Sequence, residues 1–287
     1  MGILFAFIAL ICWGVGDFLI QKTSREFGKW IALFFITFIA AAVLTPFIYK
    51  DLFGLFTDYP ALLILMLASI VILIAALFEF QAFIDGKISV VEPIMAFEVA
   101  VTAALSFIII GERLTGLQIL FIVLLIIGIF LVSTKSFHHL KKIKAEKGVW
   151  LALFGTICMG ITNFLFGIGA RETNPLLINW FTSLFLAIVS FIYLITKSKV
   201  RQIFKDWRKD KSLIIGVGLI DNAAWIAYSY STLYIPISIA IAISESYVAL
   251  AAILGLIFNG EKLRKHQFFG FAIAVICAIV LAIITPE

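Results

Sequence analysis

Residues 61–83 read ALLILMLASIVILIAALFEFQAF, an apolar run whose one charged side chain is Glu79. A helix needs about 20 such residues to cross the ~30 Å hydrocarbon core of a bilayer, so this stretch reads as a membrane span. Outward from it lie nine more of similar length: 3–20, 30–49, 88–110, 116–133, 149–170, 175–196, 213–234, 236–258 and 267–284. With 63% of the 287 residues hydrophobic and 14% charged, lipid is the solvent for most of the chain. No strand-like alternation with turns recurs at about ten-residue spacing. Backbone groups in lipid need internal partners, so the expectation is an all-α polytopic membrane protein of ten transmembrane helices.

The first stretch lacks the basic leader and the small-residue cleavage site of a signal peptide, and polar Asp17 follows it, so it reads as a retained first helix. Cys12, Cys158 and Cys277 all sit inside spans at no metal-like spacing, which reads as small core residues, not a disulfide framework or a zinc site. Of the 22 Lys and Arg residues, all but Lys50, Arg113 and Arg171 fall in alternate gaps. The positive-inside bias places the basic gaps in the cytoplasm and both termini outside a plasma membrane. The basic gaps 135–147 and 197–211 read as topology determinants; His138 and His139 lie in the first with no acidic partner arranged around them and His266 begins the last span, so no metal role is expected.

The chain repeats itself with a period near half its length. Trp13-Gly14-Val15-Gly16-Asp17-Phe18 lines up with Met159-Gly160-Ile161-Thr162-Asn163-Phe164, and Gly111-Glu112-Arg113-Leu114 with Gly260-Glu261-Lys262-Leu263. That second register places Glu245 on Ala96. Five spans per half is an odd number, so the second copy is expected to run inverted. The gaps after the second and fourth spans carry Lys50 and Arg113 on one side and Lys87 lies between the third and fourth, whereas the second-half counterparts after the seventh and ninth are strongly basic. The expected organisation is a repeat over 1–134, a basic cytoplasmic linker over 135–148 and an inverted repeat over 149–287. Inverted repeats of this kind build secondary transporters, with the substrate site near the midplane between them.

On these elements the chain resembles the drug/metabolite transporter superfamily with paired EamA-like domains. The resemblance implies a central cavity lined by the first, third and fourth helices of each half, with the fifth and tenth peripheral. Members of the family commonly keep both termini in the cytoplasm; the charge distribution here argues for the opposite orientation.

Acidic side chains inside spans cost about 2.5 kcal/mol or more near a helix centre, which makes each a functional candidate. Glu98, Asp221 and Glu245 fall close to mid-span, Asp17 and Glu79 nearer the cytoplasmic ends, and Asp85 and Glu92 flank the gap between the third and fourth spans. No Lys, Arg or His occupies a span centre to neutralise them. A carboxyl held away from water and exposed alternately to two compartments can carry a proton or attract a cation. Asp221, Trp225, Tyr228 and Thr232 recur at helical spacing, as do Trp13 and Asp17, so carboxylates share helical faces with rings that could hold an amine by cation–π contact or stack an aromatic metabolite. Trp30, Trp150 and Trp207 suit the lipid interface. Pro93 and Pro236 open the fourth and ninth helices, and Asn163 and Asn222 add neutral hydrogen-bonding capacity.

The expected activity is therefore a monomeric secondary carrier for a small amine, amino-acid-like or aromatic metabolite, working by alternating access and coupled to protons. It needs no cofactor, metal or nucleic acid. Its substrate-binding or coupling residues are Trp13, Asp17, Glu79, Glu98, Asn163, Asp221, Trp225, Tyr228 and Glu245. The alternatives are a lipid-linked-sugar flippase or sugar uptake carrier on the same scaffold, a channel, for which no repeated filter-like segment is present, and an intramembrane enzyme. For the enzyme no His-Glu-x-x-His or Gly-x-Ser-x-Gly pattern occurs.

Overall fold

The computed structural model describes residues 1–55, 58–85, 94–134, 147–250 and 264–286. In chain order the helices are α1 (Gly2–Phe27), α2 (Lys29–Ile48), the single turn α3 (Leu52–Leu55), α4 (Tyr59–Asp85), α5 (Glu98–Ile109), α6 (Gly116–Ser133), α7 (Lys147–Glu172), α8 (Pro175–Thr196), α9 (Val200–Lys209), α10 (Lys211–Ser231), α11 (Ile237–Glu245) and α12 (Lys265–Ile284). Eight of them are long and apolar enough to cross a membrane, and the segments Glu98–Ile109 and Ile237–Leu250 are shorter apolar helices. Each expected span overlaps one of these segments. Glu92, Pro93, the loop with His138 and His139, and the Gly260–Leu263 turn lie outside the described residues.

Local chemistry starts the helices where the sequence punctuates them. Asn174 caps α8 by accepting from the Leu177 amide at 2.8 Å, with Pro175 at the first position, where its missing donor costs nothing. Thr115 and Gln118 form a capping box at the start of α6. Pro236 precedes α11 as expected.

One segment departs from expectation. The basic gap at 197–211, read as a connection, contains α9, which buries Ile203 and Asp206 and leaves Phe204 exposed. Lys209 ties it to α1 through Glu26 at 2.8 Å, and burial pushes the Asp206 carboxyl above its ordinary range despite a hydrogen bond from Gln202. Ten residues with only two buried positions gave too short an apolar period to be read as a helix.

The two halves interlock pairwise. In the second half α7, α8, α10, α11 and α12 stand for the first to fifth helices, and the pairings across the halves include α1 with α10, α4 with α7, α2 with α8, α5 with α11 and α6 with α12. These are first with third, third with first, and second, fourth and fifth each with its own counterpart, the reciprocity that a two-fold relation between halves requires. Corresponding helices run antiparallel: Trp30 of α2 stacks on Tyr193 of α8 with ring centroids 4.0 Å apart, and at the other end Trp180 donates to Thr45 at 2.9 Å. The α6–α12 pair does the same, with Gln118 donating to Thr285 at 3.4 Å and its counterpart Gln267 donating to the Val132 carbonyl at 3.0 Å. Gly128 and Gly270 let the two backbones touch, since a Cβ on Gly128 would lie 2.8 Å from the Ala274 nitrogen; lipid offers no hydrophobic drive between helices, so such close packing has to hold them. Phe47, Phe107, Ile108 and Ile283, among other large apolar side chains, face outward, as a lipid-bathed perimeter requires.

Candidate functional site

A cavity of about 910 Å³, its open mouth included, lies between the two halves. In the first half its lining comes from the ends of α1, α2 and α4 that lead to the basic gaps. Its charged lining residues are Asp17, Glu79, Glu98, Asp221 and Glu245, and the described lining contains no Lys, Arg or His. Five carboxyls from α1, α4, α5, α10 and α11 thus converge on one space.

Two of them sit at helix breaks. A turn at 96–97 precedes Glu98, the first residue of α5; in the second half α11 ends at Glu245, Ser246 forms a turn, and the helix resumes at Tyr247. The repeat register that sets Glu245 on Ala96 also sets Ser246 on Phe97 and Tyr247 on Glu98, so the breaks coincide. Each break is a tightened turn, with Phe97 at φ −77°, ψ −6° and Ser246 at φ −67°, ψ 0°.

Small residues bring the first helix of each half against the break of the other. A Cβ on Gly160 would lie 2.9 Å from the Glu98 carbonyl oxygen and 2.5 Å from Val101; a Cβ on Gly14 would lie 3.7 Å from Tyr247 and 3.2 Å from Leu250. These equivalent glycines face equivalent positions, which gives the repeated Trp13-Gly14 and Met159-Gly160 steps a packing role. The Thr102 hydroxyl adds a bond to the Gly160 carbonyl at 3.0 Å.

The carboxyls have different surroundings. Glu98 accepts from Asn163 Nδ2 at 3.4 Å and lines the same space as Glu245. Asp17 accepts from the Tyr247 hydroxyl. Glu79 is buried, and its Oε1 has no partner among the described residues. Asp221 stands where α10 passes closest to Gly16 of α1. Beside them the rings of Trp13 and Trp225 meet edge to face at 5.3 Å, with Phe166 4.6 Å from Trp225.

Of the residues expected at the site, Trp13, Asp17, Glu79, Glu98, Asn163, Asp221, Trp225 and Glu245 line the cavity. Tyr228 does not. It is fully buried behind the Trp wall, 5.7 Å from the Trp13 ring, and its hydroxyl donates to the Asn163 carbonyl at 2.8 Å. Helical spacing put it on the same stripe as Asp221, but that stripe leaves the cavity and enters the core one turn past Trp225. Thr232 is buried beyond it, bonded to the Ser229 carbonyl. The second helix of each half also contributes lining, through Thr37 of α2 and Asn179, Thr182 and Ser183 of α8, which the family resemblance did not imply. Tyr247 was missed as well, although its register match to Glu98 marked it. Asn222 lines the cavity and also bridges helices, donating to the Ile36 carbonyl at 3.1 Å.

At the end carrying Lys50, Arg113 and Arg171, side chains seal the halves together. Glu112 accepts from the Ile237 amide at 2.7 Å, the Ser238 amide at 3.1 Å and the Ser238 hydroxyl at 2.7 Å. Arg171 approaches Glu112 at 3.5 Å and donates to the carbonyls of Thr232 at 2.7 Å and Ile235 at 3.1 Å. A carboxylate on the first amides of α11 meets both their unsatisfied donors and the helix dipole. The Gly-Glu-Arg-Leu turn is thus a staple from the first half onto the ninth helix.

The family model for the EamA-like transporter family matches residues 1–134 and again 146–283. The chain belongs to the EamA-like transporter family. An EamA chain is a multi-pass membrane protein that moves small solutes, and its two matched segments are the two repeats. An uncharacterized protein of Methanocaldococcus jannaschii is similar at 29% identity over 136 residues, which is 47% of this EamA chain and 97% of the archaeal one. A crystal structure at 14% identity superposes with a TM-score of 0.71, covering 98% of this chain and 96% of that one; at that identity the likeness concerns the fold.

Proposed function

We propose that this EamA protein is a secondary-active carrier that moves a small amine-bearing metabolite, amino-acid-like or aromatic, by alternating access with protons as the coupling ion. The observation that carries this reading is the cavity between the repeats, which presents five carboxyls and an aromatic wall with no cationic side chain among its described lining residues. An ammonium group supplies the missing charge, and Trp13 and Trp225 supply a face on which to hold it. Where the ammonium is absent a proton takes its place, so the two compete for the same carboxyls and exchange across the membrane. No step in this cycle is catalytic. The Glu112–Arg171 staple and the stack of Phe5 on Tyr230, 5.2 Å between centroids, close the end away from the basic gaps, as one of the two alternating states requires.

The transport unit is a monomer of ten crossings, two inverted five-helix repeats over 1–134 and 149–287 joined by the basic linker 135–148. Antiparallel pairing of corresponding helices supports the inversion, and the concentration of Lys and Arg in alternate gaps supports a plasma-membrane orientation with both termini outside. A C-terminal reporter active only in the cytoplasm stays silent in this orientation; a bright signal reverses it. The carrier reading is tested by a metabolite screen on proteoliposomes with and without an imposed pH gradient. Amines should accumulate and counterflow when the gradient is applied. Flux without counterflow indicates a pore, and uptake confined to neutral sugars overturns the amine assignment.

A further inference from the structure

Two hydrogen bonds at the site are the same bond made twice, with the carboxyl on opposite partners. Glu98, the first residue after the break in the fourth helix, meets Asn163 of α7. Tyr247, the first residue after the break in the ninth, meets Asp17 of α1. Glu98 matches Tyr247 and Asn163 matches Asp17 in the repeat registers, and the flanking Gly14 and Gly160 contacts match too. Each bond joins the resumed part of a broken helix in one half to the first helix of the other. In each, one member is a carboxyl and the other a neutral donor.

We propose that Asp17 is a second cation or proton site, the counterpart of Glu98 across the two-fold, with Tyr247 as its positioning residue in the part that Asn163 plays for Glu98. This rests on the carrier reading and adds to it a site on α1 where it meets the ninth helix. A proton or ammonium arriving at Asp17 removes the charge that strengthens the bond from the Tyr247 hydroxyl, so loading that site loosens the hold of the ninth helix on α1. Loading Glu98 does the same for α5 and α7. One carrier thus holds two release points, one per half, and alternating access needs the halves to move in turn. The titratable groups facing the two bridges are Glu79 from α4, Asp221 and Tyr228 from α10, and Glu245 from α11; α2 and α8 present Thr37, Asn179, Thr182 and Ser183, which do not titrate in the working range.

The proton itself is the probe. Infrared difference spectra of the purified full chain across a pH series should show protonated-carboxyl stretches with an Asp17 component lost in D17N and a Glu98 component lost in E98Q. Y247F should displace the midpoint of the Asp17 component by about one pH unit, the scale of one hydrogen bond to a carboxylate, and leave the Glu98 component in place. The double variant D17N/Y247E rebuilds in the second half the Glu–Asn pair of the first and should restore a titrating component. An unchanged spectrum in D17N overturns the proposal. Should D17N/Y247E not fold, Y247F decides, and equal displacement of both components by it overturns Tyr247 as a specific partner. Amine flux measured in parallel separates the two readings: titration at Asp17 without any flux removes the carrier function and leaves the site, whereas flux unaffected by D17N with no Asp17 titration removes the site and leaves the carrier.

Discussion

Replacing Glu98 or Glu245 by Gln should reduce pH-driven amine transport on the order of ten- to a hundredfold, the range of a typical coupling free energy, while the protein still folds. The two carboxyls line one cavity from the fourth and ninth helices, and neighbouring carboxyls take up protons as a unit. Glutamine keeps the size and the hydrogen bonding of either partner, and its amide can still donate across the pair or accept from Asn163. It cannot release a proton. Losing either member therefore removes the exchange, and the double variant should be little worse than each single one, because residues that work as a unit are not additive. The measurement is initial uptake into proteoliposomes against an imposed pH gradient, with counterflow at equal pH as the control for an intact carrier. Transport in both single variants and the double variant that stays as pH-dependent as wild type would falsify the role.

Glu79→Gln should weaken binding of an aromatic amine by roughly ten- to a hundredfold, while a neutral analogue of the same shape binds as before. Glu79 is 6% exposed, lines the cavity, and presents an oxygen with no partner among the described residues. A hydrogen bond to a charged group is worth about 1.5–3 kcal/mol, and about 1.4 kcal/mol is a factor of ten in affinity. Titrating purified protein with phenethylamine and with phenylethanol, read through the fluorescence of Trp13 and Trp225, compares the two. Because the substitution takes a carboxyl with an unsatisfied oxygen out of a buried place, the melting temperature should hold or rise. Equal loss for amine and alcohol would mean that Glu79 shapes the cavity without reading charge, and no loss for either would remove it from the site.

The expected site residues came largely from one physical fact legible in a single sequence: a carboxyl in an apolar span is too costly to leave in lipid. That selected Asp17, Glu79, Glu98, Asp221 and Glu245, all of which line the cavity. Tyr228 followed a weaker rule, helical spacing, which says that residues share a stripe but not where the stripe turns into the core. Thr37, Asn179, Thr182 and Ser183 escaped notice because small hydroxyl and amide groups satisfy themselves inside a helix, as Thr182 does on the Ile178 carbonyl at 2.8 Å, and so raise no alarm in an apolar run.

Hydropathy alone determined that the chain is a bundle of membrane helices, since span length and backbone satisfaction in lipid are local demands. Internal repetition and its odd span count determined the two-part organisation. Only the tertiary structure decided what each part touches: that Glu112 staples the ninth helix, that Glu98 finds Asn163 and lines one cavity with Glu245, that Tyr247 finds Asp17, and that Glu79 keeps a bare oxygen. These partners are more than sixty residues apart in sequence, and in most cases more than a hundred. Their meeting depends on how two halves interlock about a two-fold relation, and no local periodicity along one chain encodes that geometry.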